Sequence, residues 1–284
     1  MKTLTAQLTL GAIMLVPASM FAQYTEGTIN IPGATVLPTP YGIDAKDQIA
    51  GTFADSNGTH GFLLSQGVLV QIDQPGAAGT WMMGIDSVKG IVGYETTLTG
   101  YLGIADGGRQ YKLVRGGSDR RITGINATGT FVGYDGSARA FINAGGVYTS
   151  VVPAPCAGLQ APIAVYLNGV NAHNDLVGYC NGFLTPSHGF ARVGGVDQEI
   201  TVFGNAAYPT GINDSGAIAG WFGDGSGQAH GFVLSGTTIT QFDFQGPDTY
   251  PSTLVYAINN KGSLVGQAYD STLGGYVGFY ALTN

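Results

Sequence analysis

Charged residues are scarce in this chain of 284 residues, of which Asp, Glu, Lys and Arg together make up only 10%. An ordinary globular domain carries about 25%. The 11 basic residues are outnumbered by 18 acidic ones, and the formal net charge is −7. Binding to nucleic acid requires a basic surface that neutralises phosphate groups. The composition therefore argues against nucleic acid as a partner.

Long apolar runs are also rare, and the one that stands out lies at the amino terminus. A positively charged start precedes an apolar run over residues 8–16 and small residues up to Ala22, which is the layout of a secretory signal peptide. We predict a signal peptide over residues 1–22, with cleavage after Ala18 as the alternative, and a mature chain over 23–284. No other stretch approaches the about 20 apolar residues that a membrane-spanning helix needs. The sequence thus predicts a secreted or periplasmic protein without a membrane span.

Glycine, by contrast, is abundant at 47 residues, and many of these glycines belong to a repeat. Gly-Ile-Asn or a close variant, a tight turn and a Val-Gly-aromatic strand recur six times. The copies begin near residues 42, 84, 124, 169, 211 and 257, in steps of 42, 40, 45, 42 and 46 residues. A period in this range is typical of β-propeller blades built from four short strands.

Each repeat divides into four predicted strands, A to D. Strand A ends in Gly-Ile-Asn, strand B is an apolar run such as residues 176–179, strand C starts with Gly-Phe as in 230–234, and strand D resembles 238–243. Asn or Asp suits the first position of the turn between A and B, and the fourth position favours a residue that tolerates positive φ. We therefore interpret the recurring Asn and Asp residues as turn formers and not as catalytic groups.

The sixth repeat shows three strands, and its fourth is predicted at the start of the mature chain. Residues 27–34 resemble the end of the first repeat at 70–77. An amino-terminal strand that completes the last repeat would close a ring and leave no open edge. We predict an all-β fold, a single six-bladed β-propeller domain over 23–284 that is closed by residues 27–34. A different blade count and a β-solenoid are the alternatives.

A third motif places His or Arg two residues before Phe, at His60, His188, His230 and Arg139. With the Gly-Ile-Asn and Val-Gly motifs, it resembles the HAF-type extracellular repeat family of bacterial proteins over the whole mature chain. The resemblance implies an extracellular or periplasmic repeat protein and brings no catalytic residues. Equivalent positions in different blades lie around a ring, so the three histidines are interpreted as structural and no metal ligands are assigned.

Acidic residues follow strand B in five repeats, and aromatic residues stand beside them. Loops B–C and D–A emerge at the same face of a propeller, so we expect these side chains to surround one mouth of a central channel. Aromatic faces and carboxylates suit sugars or cations, which makes calcium the one candidate cofactor. The alternative is that these Asp residues initiate turns. The candidate ligand-binding residues are Asp55, Glu95, Asp135, Asp224, Asp270, Tyr94, Tyr134, Tyr179 and Trp221.

Basic residues are concentrated near the end of the second repeat. They are candidates for gripping an anionic glycan, or they protect an outer strand from edge pairing. The residues are Arg109, Lys112, Arg115, Arg120 and Arg121.

The chain has two cysteines, Cys156 and Cys180. In a secreted protein such a pair is expected to form a disulfide. Cys156 lies in the connection that enters the fourth repeat and Cys180 ends strand B of that repeat, so both are expected at one face.

For function, we predict a secreted, non-catalytic binding or interaction module whose ligand is an extracellular glycan or protein. The chain contains no nucleophile elbow, Walker loop, HExxH motif or CxxC pair. A propeller polysaccharide lyase or glycosidase is the first alternative, and a structural envelope component is the second.

Overall fold

The computed structural model describes residues 24–95, 104–106, 110–112, 120–183, 185–246 and 249–284. Consecutive strands pair antiparallel in sets of four, which we call units 1 to 6. Unit 1 comprises β2 (Val36–Ile43), β3 (Ile49–Asp55), β4 (Gly58–Ser65) and β5 (Val68–Ile72), and unit 2 comprises β6 (Thr80–Asp86), β7 (Gly90–Glu95), β8 (Ile104–Asp106) and β9 (Gln110–Lys112). Unit 3 comprises β10 (Arg120–Ile125), β11 (Phe131–Asp135), β12 (Ala140–Ala144) and β13 (Val147–Ser150).

The second half of the chain repeats this pattern after a short helix, α1 (Ala154–Ala157). Unit 4 comprises β14 (Ala164–Val170), β15 (Leu176–Asn181), β16 (His188–Val193) and β17 (Val196–Val202), and unit 5 comprises β18 (Asn205–Ile212), β19 (Ile218–Gly223), β20 (Ala229–Ser235) and β21 (Thr238–Phe242). Unit 6 comprises β22 (Ser252–Ile258), β23 (Leu264–Asp270) and β24 (Gly275–Thr283), together with β1 (Tyr24–Thr28).

Strand β1 belongs to unit 6 because it pairs antiparallel with β24, from Tyr24 opposite Thr283 to Thr28 opposite Phe279. This strand lies earlier in the chain than the predicted closing segment at residues 27–34. After Thr28, the Ile29 N–H still donates to the Gly278 carbonyl at 2.8 Å, but the chain then leaves the sheet. The prediction placed the strand too late because it matched the turn that follows the strand instead of the strand itself.

Hydrogen bonding joins the described strands into five sheets. Units 4 and 5 share one eight-stranded sheet, since β17 pairs with β18 through Thr201 opposite Ala206 and Val202 opposite Asn205. The A strands of neighbouring units approach closely: a Cβ built on Gly84 would lie 3.2 Å from the Gly124 Cα. A side chain on Gly84 would therefore crowd the neighbouring strand, although unit 6 has Ala257 at the equivalent position.

The turns after strand A link the units through their asparagines. In the four turns that have Asn, the Asn Oδ1 accepts hydrogen bonds from the backbone N–H groups two and four residues later, as at Asn213 with Ser215 (3.1 Å) and Ala217 (2.9 Å). The Nδ2 then donates to the carbonyl of the equivalent residue in the next unit. These bonds run from Asn126 to Asn171 (2.7 Å), Asn171 to Asn213 (3.1 Å), Asn213 to Asn259 (3.0 Å) and Asn259 to Asp44 (2.8 Å).

We call this series the asparagine ladder, and its last bond joins unit 6 to unit 1. The interpretation of these residues as turn formers is confirmed. The fourth turn position has positive φ, as expected, at Gly129 (86°), Asp47 (59°) and Asn174 (65°).

The Phe of the Gly-Phe motif forms the core of the units. Phe62, Phe190, Phe232 and Phe279 are fully buried. They pack among aliphatic side chains of strands A and B, as Phe62 does with Ile43 and Ile49. Full burial of one such ring contributes about 1.5–3 kcal/mol, which explains why the motif recurs. Among the described residues, no helix is long and apolar enough to cross a membrane.

Candidate functional site

Residues of all six units line one cavity, and we call the line through it the central axis. Each unit has one equivalent cross-strand pair, which joins the residue three positions before the motif glycine, or before its equivalent Ala257, to the residue that follows the strand B glycine. The pairs are Thr39 with Thr52, Trp81 with Tyr94, Arg121 with Tyr134, Tyr166 with Tyr179, Tyr208 with Trp221, and Leu254 with Gln267. At these paired positions, aromatic and cationic side chains therefore occur in units 2 to 5, and units 1 and 6 have Thr, Leu and Gln.

The seven rings of units 2 to 5 contact one another in series, and we call them the aromatic arc. Within units the rings stack, with centroids 5.0 Å apart for Trp81–Tyr94, 4.8 Å for Tyr166–Tyr179 and 3.9 Å for Tyr208–Trp221. Between units they meet edge to face, at 4.9 Å for Tyr134–Tyr166 and 5.2 Å for Tyr179–Tyr208. The Arg121 guanidinium bridges the remaining gap, 5.3 Å from the Tyr94 ring and 5.9 Å from the Tyr134 ring.

Five members of the arc line a cavity of ≈ 230 Å³ on the axis, and a second layer of side chains forms its floor. The floor residues stand immediately before the motif glycine or its equivalent, so they lie on the same face of strand A as the arc residues. They are Tyr41, Met83, Thr123, Asn168, Thr210 and Tyr256. Several donate to a carbonyl of the next unit, as Asn168 Nδ2 does to Pro209 (2.9 Å) and Thr123 Oγ1 to Leu167 (2.6 Å). These hydrogen bonds hold the floor side chains in position.

The residues that line the cavity are uncharged, and the Arg121 guanidinium lies beside this lining, next to Tyr134. Among the described residues that line it there is no carboxylate, histidine or lysine, and its ionisable groups are tyrosines. Burial raises the pKa of Tyr179 to about 12, and neighbouring tyrosines add to this effect. Burial also raises the pKa of Tyr256. The phenols of Tyr179 and Tyr256 therefore stay protonated and can donate hydrogen bonds.

The predicted acidic residues do not line this cavity. Asp55 Oδ1 accepts from the Asn57 N–H (2.6 Å) and lies 3.1 Å from His60 Nε2. Asp224 Oδ1 accepts from the N–H groups of Ser226 (2.8 Å) and Gln228 (2.9 Å). Bonds from the Ser226 hydroxyl and these N–H groups lower the pKa of Asp224 to about 2. The alternative that these residues initiate turns is the one that the geometry supports.

The five acids are also not equivalent to one another. Asp55, Asp224 and Asp270 follow the strand B glycine by four residues, whereas Glu95 and Asp135 follow it by two. Glu95 and Asp270 are moreover buried, with 4% and 2% of their surface exposed. The acids therefore do not occupy equivalent positions in their units, and a ligand-binding role for them stays a prediction.

The predicted aromatic residues all belong to the arc. Tyr134, Tyr179 and Trp221 line the cavity. Tyr94 lies further along the arc, where its ring stacks on that of Trp81. The prediction missed the rings of strand A and the floor residues. The sequence carries a signal for Trp81, Tyr166 and Tyr208, which all stand three residues before a glycine of the repeat motif.

The disulfide between Cys156 and Cys180 is confirmed, and both residues are buried. Cys180 directly follows Tyr179, so the bond ties α1 to the strand that carries an arc residue. The Ala154 N–H of α1 also donates to Asp197 Oδ2 at 2.8 Å.

The structure places two of the five predicted basic residues in unit 3 instead of at the end of unit 2. Arg120 and Arg121 lie in β10, the first strand of unit 3, and not in the connection that leaves unit 2. Arg109, Arg115 and the side chain of Lys112 fall outside the described residues. Within the described part of the chain, no group of three or more His, Cys, Asp or Glu residues is placed to hold a metal ion, and calcium stays an untested prediction.

Neither a protein-family model nor a curated protein matches the sequence, so the resemblance to HAF-type repeats stays a prediction. Similar solved structures include a gluconolactonase from Xanthomonas campestris, with a TM-score of 0.50 and 12% identity over 94% of this chain and 93% of that one. A virginiamycin B lyase from Staphylococcus aureus gives 0.46 and 14% over 91% and 99%. A lectin from Aleuria aurantia gives 0.27 and 11% over 83% and 74%. The chain thus has an all-β fold with β-propeller proteins among its structural neighbours.

Proposed function

We propose that the six units are the six blades of a secreted β-propeller, closed by β1, which binds carbohydrate without catalysis in its axial cavity. The observation that supports this proposal is the aromatic arc, whose rings run from Trp81 to Trp221 with the Arg121 guanidinium between Tyr94 and Tyr134. No repeat motif accounts for these rings, because units 1 and 6 place Thr, Leu and Gln at the same positions.

A neutral sugar suits the chemistry of this cavity. The apolar C–H face of a pyranose ring packs on an aromatic face, while its hydroxyls need donors and acceptors at the edges of the site. Half-buried tyrosines supply both an apolar ring and a polar hydroxyl. The amide of Asn168 and the hydroxyl of Thr210 lie deeper on the floor.

The lining favours binding over hydrolysis or elimination. Glycoside hydrolysis uses two carboxyl groups on either side of the scissile bond, and general acid–base catalysis of other kinds needs a group that titrates near the working pH. The described lining offers only phenols, amides and hydroxyls, with the pKa of Tyr179 raised to about 12. A lyase or glycosidase would therefore have to place its catalytic groups elsewhere.

Secretion is supported by two independent features. The first is the predicted signal peptide over residues 1–22, and the second is the buried disulfide. Disulfides form and persist in oxidising compartments such as the periplasm and the extracellular space. The resemblance to HAF-type extracellular repeats agrees with such a location.

The chain is suited to a direct test because it has two tryptophans, and both belong to the arc. We would titrate the mature protein with neutral oligosaccharides of glucose, xylose, mannose and N-acetylglucosamine while following tryptophan fluorescence. At least one series is expected to change the emission in a saturable way. The variant Tyr166→Ala removes one stacking face and is expected to weaken binding about tenfold, or about 1.4 kcal/mol.

The matched control is Phe203→Ala, which removes a ring that is 59% exposed and lies outside the arc. This variant is expected to bind as the unaltered protein does. No saturable change with any of the four series, or equal loss of affinity in both variants, would contradict binding at the arc. Release of reducing ends or of unsaturated products during the titration would contradict the non-catalytic part of the proposal.

A further inference from the structure

A second cavity, of ≈ 210 Å³ and open to solvent on one side, lies in unit 3 away from the aromatic arc. It is lined by Arg120 and Asp135 at one end of strands A and B, by Arg139 and Phe141 on strand C, and by Tyr148 and Ser150 on strand D. The same region of units 1, 4 and 5 provides an internal comparison, because the strand registers make each position equivalent.

In units 1 and 5, a carboxylate directly after strand D lies within hydrogen-bond distance of the strand C histidine. His60 Nδ1 lies 2.9 Å from Asp73 Oδ1, and the equivalent distance from His230 Nδ1 to Asp243 Oδ1 is 2.8 Å. In unit 4 His188 Nδ1 lies 2.7 Å from Glu199 Oε1, again on strand D. In each of these three units, the strand C histidine thus lies beside an acid that stands in strand D or directly after it.

Unit 3 has a permanently charged arginine in place of the histidine. It has no acid at the positions of Asp73 and Glu199. Arg139 stands where the other units have His, since Phe141 pairs with Ser150 as Phe62 pairs with Gln71. Two residues further on, Val152 occupies the position of Asp73. Strand D of unit 3 therefore contributes a hydroxyl and an exposed valine in place of a carboxylate.

Arg120 adds a second positive charge. Units 2, 4, 5 and 6 have a small or apolar, buried residue at the equivalent position. Its equivalents, by their pairing with strand B, are Thr80, Val165, Ala207 and Thr253, which are 1%, 4%, 0% and 0% exposed. The Arg120 guanidinium lies 3.9 Å from the Tyr148 ring centroid and 5.4 Å from that of Phe141. Such stacking fixes the direction of the guanidinium and leaves its N–H donors at the edge.

Asp135 does not balance both arginines. Its Oδ2 accepts from Arg139 Nε (2.9 Å) and lies 2.8 Å from an Arg139 terminal nitrogen. Its Oδ1 accepts from the N–H groups of Ser137 (2.9 Å) and Arg139 (3.1 Å). Among the described residues that line the space, two guanidinium groups face one carboxylate, so this lining carries a net positive charge.

We propose that this space, the unit 3 pocket, binds the carboxylate of an acidic sugar such as a uronate. The ligand would supply the anion that strand D supplies in the other units. Its carboxylate would accept the paired N–H groups of Arg120, a geometry that guanidinium provides for planar oxyanions. The hydroxyls of Tyr148, Thr149 and Ser150 line the rest of the pocket and suit the hydroxyls of one sugar ring. This site is independent of the aromatic arc.

The experiment is a titration of the isotope-labelled mature protein with sodium D-glucuronate, followed by amide chemical shifts in residues 139–150. D-glucose is the neutral control, because it differs in lacking the carboxylate. Glucuronate is expected to shift these amides in a saturable way, and glucose is not. Tryptophan emission, which reports on the arc, is expected to stay unchanged during the same titration.

Two variants test the charge argument without removing the fold. Arg120→Thr introduces the residue that units 2 and 6 already have at this position, and it is expected to weaken glucuronate binding at least tenfold. Val152→Asp restores the strand D acid of units 1 and 5 and is expected to weaken binding similarly, whereas Val152→Asn is the isosteric control that retains it. Equal shifts with glucose and glucuronate, or an unchanged dissociation constant in both Arg120→Thr and Val152→Asp, would overturn the proposal.

Discussion

The two ends of the central axis are built on opposite principles. At the end formed by the A–B turns, Asn126, Asn171, Asn213 and Asn259 repeat the same two functions, an acceptor within the turn and a donor to the next unit. At the other end, the equivalent cross-strand pairs change from unit to unit, from two threonines in unit 1 to two stacked rings in unit 5.

This difference separates architecture from recognition. A residue that every unit needs to contact its neighbour recurs with the period of the chain, because the contact recurs. A ligand that occupies one side of the axis needs side chains in only some of the units. Positions that break the repeat, such as Trp81, Arg120 and Tyr208, are therefore better candidates for binding than positions that follow it, such as Asp55 and Asp224.

The largest effect is expected at the end of the axis that carries the aromatic arc, where a disulfide holds α1 against unit 4. Replacing Cys156 and Cys180 together by Ser should lower the free energy of unfolding by about 3 kcal/mol, because the unfolded chain loses the constraint of a closed loop. Urea unfolding of the oxidised protein and of the double variant would measure this. A loss well under 1 kcal/mol would show that the connection is held by its packing alone.

At the ladder end, Asn213→Asp should break one link while leaving the turn intact. The new carboxylate can still accept from Ser215 and Ala217, but it cannot donate to the buried Asn259 carbonyl. An unsatisfied buried acceptor costs about 1–3 kcal/mol. The control is Asn205→Asp, because the Asn205 side-chain amide makes one long hydrogen bond, of 3.4 Å, near the surface. This variant should change the free energy of unfolding by less than about 0.5 kcal/mol. Equal losses in the two variants would contradict a specific role for the ladder.

The ladder has a gap in unit 1, and filling it should stabilise the protein. Asp44 is 3% exposed, and its Oδ1 accepts from the N–H groups of Lys46 and Gln48 as a ladder asparagine would. Its Oδ2 is buried without a hydrogen-bond partner, and burial raises the pKa of this carboxyl. Asp44→Asn should increase the free energy of unfolding at pH 7 by about 1 kcal/mol, because a buried charge without a partner is replaced by a neutral donor.

The pH dependence distinguishes this explanation from a general effect of lower charge. The folded protein binds the Asp44 proton more tightly than the unfolded chain does, so the wild-type protein loses stability as the pH rises from the unfolded pKa through the folded one. The advantage of Asp44→Asn should therefore shrink at acidic pH. An advantage that is equal at pH 4 and pH 7 would contradict the burial argument.

The architecture could be predicted from the sequence because its determinants repeat. Turn asparagines, glycines where A strands approach and the buried Phe of strand C leave a period that six copies make visible. The amino-terminal strand that pairs with β24 begins earlier than the predicted segment, since the match to the end of the first repeat depends on a Pro-Gly turn that follows the strand. One comparison of two short segments could not fix that register.

The site could be predicted only in part, because it depends on contacts between strands of different repeats. Tyr134, Tyr179 and Trp221 were found through their common place after strand B. The floor residues Tyr41 and Tyr256 stack on each other across the junction of units 1 and 6, at 5.5 Å. They are 215 residues apart in the sequence, and nothing local marks them as neighbours. The absence of a strand D acid in unit 3 likewise has meaning only once the registers of all units are known.

The smallest effect concerns contacts that follow the repeat but lie away from both ends of the axis. Burial lowers the pKa of His60, but hydrogen bonds to Asp73 and Asp55 outweigh it, and the net pKa is raised. His230 behaves in the same way through Asp243 and Asp224. A raised pKa in the folded state means that this stabilisation is fully present below the unfolded pKa of about 6.5 and is lost as the pH rises through the folded pKa.

The unaltered protein should therefore lose stability between pH 6 and pH 9, by about 1 kcal/mol or less for each of these partly exposed pairs. Replacing His60 and His230 together by Gln should flatten that decline, because Gln can still donate to one carboxylate but does not titrate. His173→Gln is the matched control, since His173 lies exposed in an A–B turn outside these pairs. Unfolding free energies measured at intervals across this pH range would decide the matter. If the double variant keeps the full wild-type slope, these histidines serve as packing groups and the charge pairs add nothing to the fold.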